Sequence, residues 1–157
     1  MSDEQLLERS QRVRLPLEQT FELFADARNL EAITPGWLRF RIDTPDEIEI
    51  GAGALIEYRL RLHGVPVRWR TRIEVWDPPH RFVDAQVSGP YALWHHTHEF
   101  EPDGDETVIR DRVRYRIGFG PLGDLSLRLF VRRDLDRIFD HRRIAIERLL
   151  RSSEPAA

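Results

Sequence analysis

An alternation of side-chain type along residues 107–119 constrains the fold of this chain more than any other feature. Arginines occupy alternate positions from Arg110 to Arg116, while the positions between them carry mainly apolar side chains. The second set is Ile109, Asp111, Val113, Tyr115, Ile117 and Phe119. Because successive side chains of a strand point to opposite faces of a sheet, the arginines must face water. Residues 107–119 are therefore predicted to form a strand whose inner face carries one carboxylate, Asp111, among apolar groups.

The preceding segment, residues 93–101, is predicted to pair with this strand through a turn at residues 102–105. Four of its side chains share one face, namely Trp94, His96, His98 and Phe100. If both apolar sets face inward, the cross-strand pairs are Phe100 with Ile109, His98 with Asp111, His96 with Val113, and Trp94 with Tyr115. Two histidines and a carboxylate then lie among aromatic rings on a concave face. This arrangement is more typical of a pocket lining than of an ordinary core.

Apolar periodicity and turn residues divide the rest of the chain into elements. The predicted order is one strand, two short helices, six strands and one long helix. The predicted bounds are a strand at 5–15, a helix opened by Pro16, a helix at 29–33, strands at 37–44, 55–62, 67–76, 81–87, 93–101 and 107–119, and a helix at 125–150. A glycine-rich break at 118–123 precedes Asp124, which is the predicted N-cap of the long helix.

These elements together predict the architecture. A helix over residues 125–150 is about 39 Å long at 1.5 Å per residue, so it must lie along the whole sheet. We predict an α+β fold in which a curved antiparallel sheet of about seven strands wraps this helix, while the two short helices after the first strand close one end. Residues 1–157 are predicted to form a single domain with its core at about 5–150. One helix cannot cover the inner surface of such a sheet, so we predict a cavity between them.

The composition excludes several kinds of chemistry. There is no cysteine, which excludes disulfides, thiolate nucleophiles and cysteine-based metal sites. There is no lysine either, which excludes a lysine Schiff base. The acidic start of the chain does not look like a signal peptide, and no apolar run approaches the roughly 20 residues of a membrane-spanning helix. We therefore expect a cytoplasmic protein.

The order of elements resembles the helix-grip fold of the START-like, or SRPBCC, superfamily, which includes polyketide cyclase-like proteins. Several motifs are similar to a bacterial ligand-binding subgroup of it: Trp76-Asp77-Pro78-Pro79, Trp94-x-His96-x-His98-x-Phe100, Asp111-x-Val113-x-Tyr115, and Phe139-x-x-Arg142. The resemblance covers about residues 5–150. It implies a cavity that binds an apolar or amphipathic small molecule. It does not imply a reaction, because the superfamily mixes carriers, sensors and enzymes.

The candidate ligand-binding residues are the polar and aromatic groups of the predicted inner face: Tyr58, Trp69, Trp94, His96, His98, Asp111, Tyr115, Phe139 and Arg142. His98 and Asp111 are also the candidate catalytic pair, since a carboxylate can orient an imidazole for proton transfer. Two other interpretations stay open for this pair. It can be a buried polar contact that fixes strand register, or it can hydrogen-bond a ligand.

A metal site is the alternative interpretation of the same histidines. His96 and His98 with Asp111 match the two-histidine, one-carboxylate pattern, because His-x-His on a strand has a real ligand spacing. No further carboxylates are evident around them in the sequence. We therefore predict neither a metal ion nor another cofactor.

The predicted outer face is rich in cations, with arginines at Arg59, Arg61, Arg68, Arg70, Arg72, Arg110, Arg112, Arg114 and Arg116. They alternate because the other face is buried, and glutamates such as Glu57 interrupt them. Trp76 is the only aromatic residue that we place beside them, which is too little for base stacking. We predict a solvated face that does not bind nucleic acid. A protein partner or a homodimer through the outer strands stays an alternative.

Two function hypotheses from different classes follow. The first is a binding module, acting as carrier, sensor or accessory subunit for a hydrophobic or amphipathic molecule of lipid, polyketide or aromatic type. The second is a polyketide cyclase- or dehydratase-like enzyme that uses His98 and Asp111. We favour the first because the sequence offers no clear nucleophile. It requires an interior cavity, for which we expect at least about 300 Å³.

Overall fold

The computed structural model of the chain describes residues 4–44, 50–118 and 125–153. The elements are β1 Gln5–Val13, α1 Leu17–Ala25, α2 Ala27–Ile33, β2 Arg41–Ile42, β3 Leu55–Leu62, β4 Val65–Asp77, β5 Arg81–Ser88, β6 Tyr91–Asp103, β7 Glu106–Ile117 and α3 Leu125–Ser153. The strands form one antiparallel sheet in the order β1-β7-β6-β5-β4-β3-β2. This is the predicted α+β helix-grip architecture, which is confirmed.

The β6–β7 hairpin has the register that the alternation predicts. Phe100 pairs with Ile109, His98 with Asp111, His96 with Val113, and Trp94 with Tyr115. Ile109, Val113 and Tyr115 are almost fully buried, whereas the arginines between them are exposed. Strand alternation together with the solvation of arginine was therefore sufficient to fix the inner face of this hairpin.

The long helix α3 docks on this inner face. Leu135 and Phe139 pack with Leu7, Val113 and Tyr115 near the β1–β7 edge of the sheet. Further along α3, Ile146 packs with residues of α1, α2 and β5–β7, among them Phe21, Ile33, Phe82, Phe100 and Ile109. The two short helices thus close one end of the space between α3 and the sheet. No helix in the described ranges is both long enough and apolar enough to span a bilayer.

The segment that we predict as a strand at 37–44 is mostly irregular. A 3-10 turn spans Gly36–Leu38, and the strand that follows, β2, has only two residues. Pro35 caps the turn and Arg39 ends it in the left-handed conformation, with a φ of 48°. This reversal takes up residues that would otherwise extend the strand. The predicted break at 118–123 lies, apart from Gly118, outside the described residues, and so does the cap at Asp124.

A bulge in β4 corrects the placement of Trp76. Ile73 pairs with Asp84 but Val75 pairs with Val83, so Glu74 is an extra residue in this strand. One extra residue reverses the alternation that follows it. The indole of Trp76 therefore points inward, where its ring centroid lies 5.1 Å from that of Phe21. The prediction of an outward Trp76 is wrong for this reason.

Candidate functional site

A cavity of about 210 Å³ lies between α3 and the sheet. Its wall is mainly apolar and comes from α1, α2, the concave face of β3–β6 and α3. The expected minimum of about 300 Å³ is not reached, and that prediction of size is wrong. The reason is that large aromatic side chains occupy much of the space under the sheet. The interior is nevertheless not packed solid.

Aromatic rings form one wall of the cavity. The indoles of Trp69 and Trp94 meet edge to face with centroids 5.3 Å apart, and Tyr58 stacks on Trp69 at 5.8 Å. Tyr91 adds a ring 4.9 Å from Trp94. Burial, with the charge of Asp84, raises the pKa of the Tyr58 phenol, so it stays neutral. Flat rings with offset and perpendicular contacts offer a surface that suits another planar apolar group.

The wall also contains polar residues, of which Asp84, His96 and His98 form a contiguous cluster. Both histidines are almost fully buried, with exposed fractions of 4% and 5%. Nε2 of His98 lies 2.6 Å from Oδ2 of Asp84, and Nδ1 of His96 lies 3.9 Å from the same oxygen. The two imidazoles stack with centroids 3.7 Å apart, and Phe82 stacks on the far side of His98 at 4.0 Å. Stacking on both sides holds the His98 ring in one plane.

Asp111 lies behind the histidines and contacts both. Nε2 of His96 donates to Oδ1 of Asp111 at 2.8 Å, and Nδ1 of His98 lies 3.3 Å from that oxygen, outside hydrogen-bond geometry. A guanidinium nitrogen of Arg142 is 3.7 Å from the same oxygen. A second pocket, of about 40 Å³, reaches Asp111 and Arg142 from the side of β1. Asp111 therefore does not line the main cavity itself but contacts His96, His98 and Arg142, which do.

The protonation of this cluster follows from its charges. Burial would raise the pKa of Asp111, but the charge of Arg142 and the close contacts of the two histidines hold it well below its usual value. Burial likewise opposes ionisation of Asp84, yet the contact with His98 and the charges around it lower the pKa of this carboxyl. Both acids are therefore ionised.

The two histidines behave differently. Burial and the nearby charge of His98 lower the pKa of His96 to about 4. Burial would also lower the pKa of His98, but the carboxylates of Asp111 and Asp84 together raise it. His96 is thus neutral with a single N–H, and the ionising proton of the pair is held on His98. Two anions, Asp84 and Asp111, are then balanced by two cations, His98 and Arg142.

Seven of the nine candidate ligand-binding residues line the cavity: Tyr58, Trp69, Trp94, His96, His98, Phe139 and Arg142. Asp111 does not, for the reason given above. Tyr115 does not line it either, because its ring packs in the core with Leu7, Leu135 and Phe139. The rings of Tyr91 and Trp94 line the cavity instead.

Asp84 is a residue of the cavity wall that the sequence did not reveal. Within β5 the apolar set is Val83, Ala85 and Val87, so alternation alone favours the wrong inner face. In the structure Phe82 and Asp84 line the cavity. A usable signal was the turn at Gly89 and Pro90, because a short hairpin about this point places Asp84 opposite His96, as observed.

Three buried polar atoms near the cavity lack a hydrogen-bond partner within the described part of the chain: Nε1 of Trp69, Nδ1 of His98 and Nε of Arg142. The first belongs to a ring of the cavity wall, so a molecule in the cavity can accept its hydrogen bond. A buried donor without a partner costs about 1–3 kcal/mol. Occupation of the cavity by a molecule with an acceptor would recover part of that cost.

Comparison with known proteins agrees with this fold. The protein TTHA0849 from Thermus thermophilus is 21% identical with a TM-score of 0.71, covering 96% of this chain and 100% of that one. The Zhui aromatase/cyclase from Streptomyces sp. R1128 is 17% identical with a TM-score of 0.66, covering 92% and 90%. A START superfamily protein from Mycobacterium smegmatis is 11% identical with a TM-score of 0.66, covering 92% and 98%.

Sequence comparison identifies the family. No curated protein matches the chain in sequence. The family model described as polyketide cyclase / dehydrase and lipid transport matches residues 4–149, which is almost the whole chain. With its seven-stranded sheet and long C-terminal helix, the chain therefore belongs to this START-like family of polyketide cyclases, dehydrases and lipid transport proteins.

Proposed function

We propose that this protein binds an apolar or amphipathic small molecule in the cavity between α3 and the sheet, as a carrier, sensor or accessory subunit. The observation that carries the proposal is a mainly apolar, aromatic cavity whose few polar groups include the cluster of Asp84, His96 and His98. Small-molecule sites usually have this composition. The family also includes lipid transport among its described functions.

The volume limits the size of the ligand. A water molecule needs roughly 10–30 Å³ depending on the measure, so 210 Å³ corresponds to on the order of ten water molecules. A ligand with a single ring or with two fused rings fits this space better than a long acyl chain. Its ring would lie against Trp69 and Trp94, and a hydroxyl group could donate to the ionised carboxylate of Asp84.

A fluorescence titration with 2-naphthol tests this proposal, because the probe combines two fused rings with one hydroxyl group. We expect saturable quenching of tryptophan emission with a dissociation constant of about 10 μM or lower. Ile56→Phe fills the cavity and should weaken binding at least about tenfold, which is 1.4 kcal/mol. Leu55→Phe is the matched control, since Leu55 is the exposed neighbour of Ile56 on β3. Equal affinity in both variants would refute binding in this cavity.

A cyclase or dehydratase is the second candidate, and one observation favours it. His98 and Asp84 make a 2.6 Å contact at the cavity wall, where a carboxylate could orient a protonated imidazole toward a substrate. The acid–base pair facing the cavity would then be His98 with Asp84, not His98 with Asp111. Incubation with a β-hydroxy ketone distinguishes the candidates. Dehydration that Asp84→Asn abolishes favours the enzyme, while binding without turnover favours the carrier or sensor.

A further inference from the structure

We propose that Asp84, His96 and His98 form a binding site for a divalent transition-metal ion of the Zn²⁺ type at the wall of the cavity. One donor atom from each residue lies within 4.8 Å of the other two. Asp84 comes from β5, and both histidines come from β6, where the His-x-His spacing puts them on one face. Residues on adjacent paired strands hold the three donors, so the site does not depend on a loop.

The distances suit a metal ion after small side-chain rotations. Oδ2 of Asp84 is 2.6 Å from Nε2 of His98 and 3.9 Å from Nδ1 of His96. Bonds of about 2.0–2.2 Å to one ion place neighbouring donors roughly 3.0–3.5 Å apart. The first distance must therefore open and the second must close, each by less than about 1 Å. Both distances involve Oδ2 of Asp84, so rotation of this carboxylate about its side-chain torsions can change them without moving the strands or the stacked ring of His98.

Asp111 contacts both histidine rings on the side remote from Asp84. Histidines that bind metal ions usually donate their other ring N–H to a carboxylate, which orients the ring. Oδ1 of Asp111 lies 2.8 Å from Nε2 of His96 and 3.3 Å from Nδ1 of His98. One carboxylate thus faces the remote nitrogen of both rings. Binding of the ion would displace the proton that Nε2 of His98 donates to Asp84. The nitrogens that face Asp84 would then have lone pairs, as metal coordination requires.

The position of the three ligands at the cavity wall indicates a role for the ion in ligand binding. Asp84, His96 and His98 all line the cavity, so a fourth position on the ion would be open to a molecule bound there. Sites with three protein ligands and one open position are typical of catalytic rather than structural zinc. Two imidazoles and one carboxylate also suit Fe²⁺ and Co²⁺. An oxygen atom of the ligand could therefore bind the ion directly, which the apolar wall alone does not provide.

Calorimetric titration of chelator-treated protein with Zn²⁺ tests the proposal. We expect one ion per chain with a dissociation constant of about 1 μM or lower. Asp84→Asn and His96→Gln should each weaken binding by at least about tenfold, and Asp111→Asn should weaken it by about 10–100-fold although it leaves all three ligands in place. His95→Gln is the matched control and should have no effect, because the side chain of His95 points to the opposite face of the sheet.

X-ray absorption spectroscopy of the zinc-loaded wild-type protein tests the site without any variant, so it is informative even if a variant fails to fold. We expect two imidazole nitrogens in the first coordination shell of the zinc ion. If no equivalent of Zn²⁺ binds, or if the binding survives both Asp84→Asn and His96→Gln, the cluster is only a hydrogen-bonded polar group and the proposal is wrong. The metal proposal rests on the same cavity as the proposed ligand binding, but the 2-naphthol titration can be done in the presence of chelator. A negative zinc result therefore does not contradict ligand binding in the cavity.

Discussion

At the scale of single residues, the main feature is a buried cluster in which the negative charges of Asp84 and Asp111 are neutralised by the positive charges of His98 and Arg142. Asp111 is only 12% exposed, and it contacts His96, His98 and Arg142. Removing one member of such a cluster is costly because the remaining groups are left unpaired in the interior. The same argument does not apply to Arg112, which lies next to Asp111 in sequence but is exposed on the outer face.

Replacement of Asp111 by Asn tests this difference. We expect Asp111→Asn to lower the free energy of unfolding by about 1–3 kcal/mol, because His96 and Arg142 lose their anionic partner. Arg112→Gln should change it by less than about 0.5 kcal/mol. Urea denaturation of both variants measures the two values. Equal losses would mean that Asp111 is not part of a buried cluster.

The pH dependence of the same variant gives a second check. The charge of Arg142 and the histidine contacts hold the folded-state pKa of Asp111 well below the value of about 3.9 that applies in the unfolded chain. A depressed pKa contributes stability that is complete above the unfolded pKa and is lost as the pH falls toward the folded pKa. The charged and titratable groups that face Asp111 or its partners are Asp84, His96, His98 and Arg142.

We therefore expect the stability difference between wild type and Asp111→Asn to be constant from about pH 6 to pH 5 and to shrink below about pH 4. Above about pH 6.5 it should also decrease, because Asp111 helps to raise the pKa of His98 and that contribution is lost as His98 deprotonates. Denaturation curves of chelator-treated protein at several pH values measure it. A difference that grows as the pH falls below about pH 4 would show that the carboxyl of Asp111 is protonated in the folded protein.

Residue-level features differ in how well the sequence predicts them. His96 and His98 were predictable because Trp94 and Phe100 share their face and the arginines of β7 determine which face is inside. Asp84 was not, because its neighbours Val83 and Ala85 are the more apolar set. Tyr115 was assigned correctly to the inside but incorrectly to the cavity, since alternation gives the face of a strand and not the depth of packing.

At the scale of elements, α3 is the part of the molecule that completes the core. Leu135 and Phe139 are buried against the sheet, whereas Ile144 is 51% exposed on the opposite side of the same helix. The helix has charged residues on most other positions, so its attachment depends on this narrow apolar stripe.

Truncation of a side chain in this stripe measures how much the docking of α3 on the sheet contributes to the free energy of unfolding. Phe139→Ala should cost about 3–5 kcal/mol because it removes a buried aromatic ring and enlarges the cavity. Ile144→Ala is the control on the exposed face and should change stability by less than about 0.5 kcal/mol. Thermal and urea unfolding provide the values. A loss under about 1 kcal/mol for Phe139→Ala would contradict the docking of α3 on the sheet.

The sequence predicted most elements because their signals are periodic over many residues. The bulge at Glu74 and the short β2 were not predictable, since each depends on one or two residues that reverse a local pattern. The bulge matters for the site, because it turns Trp76 from the outer face into the cavity wall.

At the scale of the whole molecule, one helix inside a strongly curved sheet leaves interior space, and the two short helices close one end of it. The existence of this space was predictable from the order of elements. Its volume was not, because the volume depends on which rotamers the aromatic side chains adopt, and these rings reduce the space to about 210 Å³.

The central claim is that a small aromatic molecule occupies this space, and proton NMR of the indole N–H groups with 2-naphthol tests it most directly. Of the four tryptophans, Trp69, Trp76 and Trp94 line the cavity, whereas Trp37 is exposed near Arg137. We predict nuclear Overhauser contacts from the naphthol ring to Trp69 and Trp94, with the largest shift at the unpaired N–H of Trp69. Contacts to Trp37 alone, or no contacts at saturation, would contradict the account.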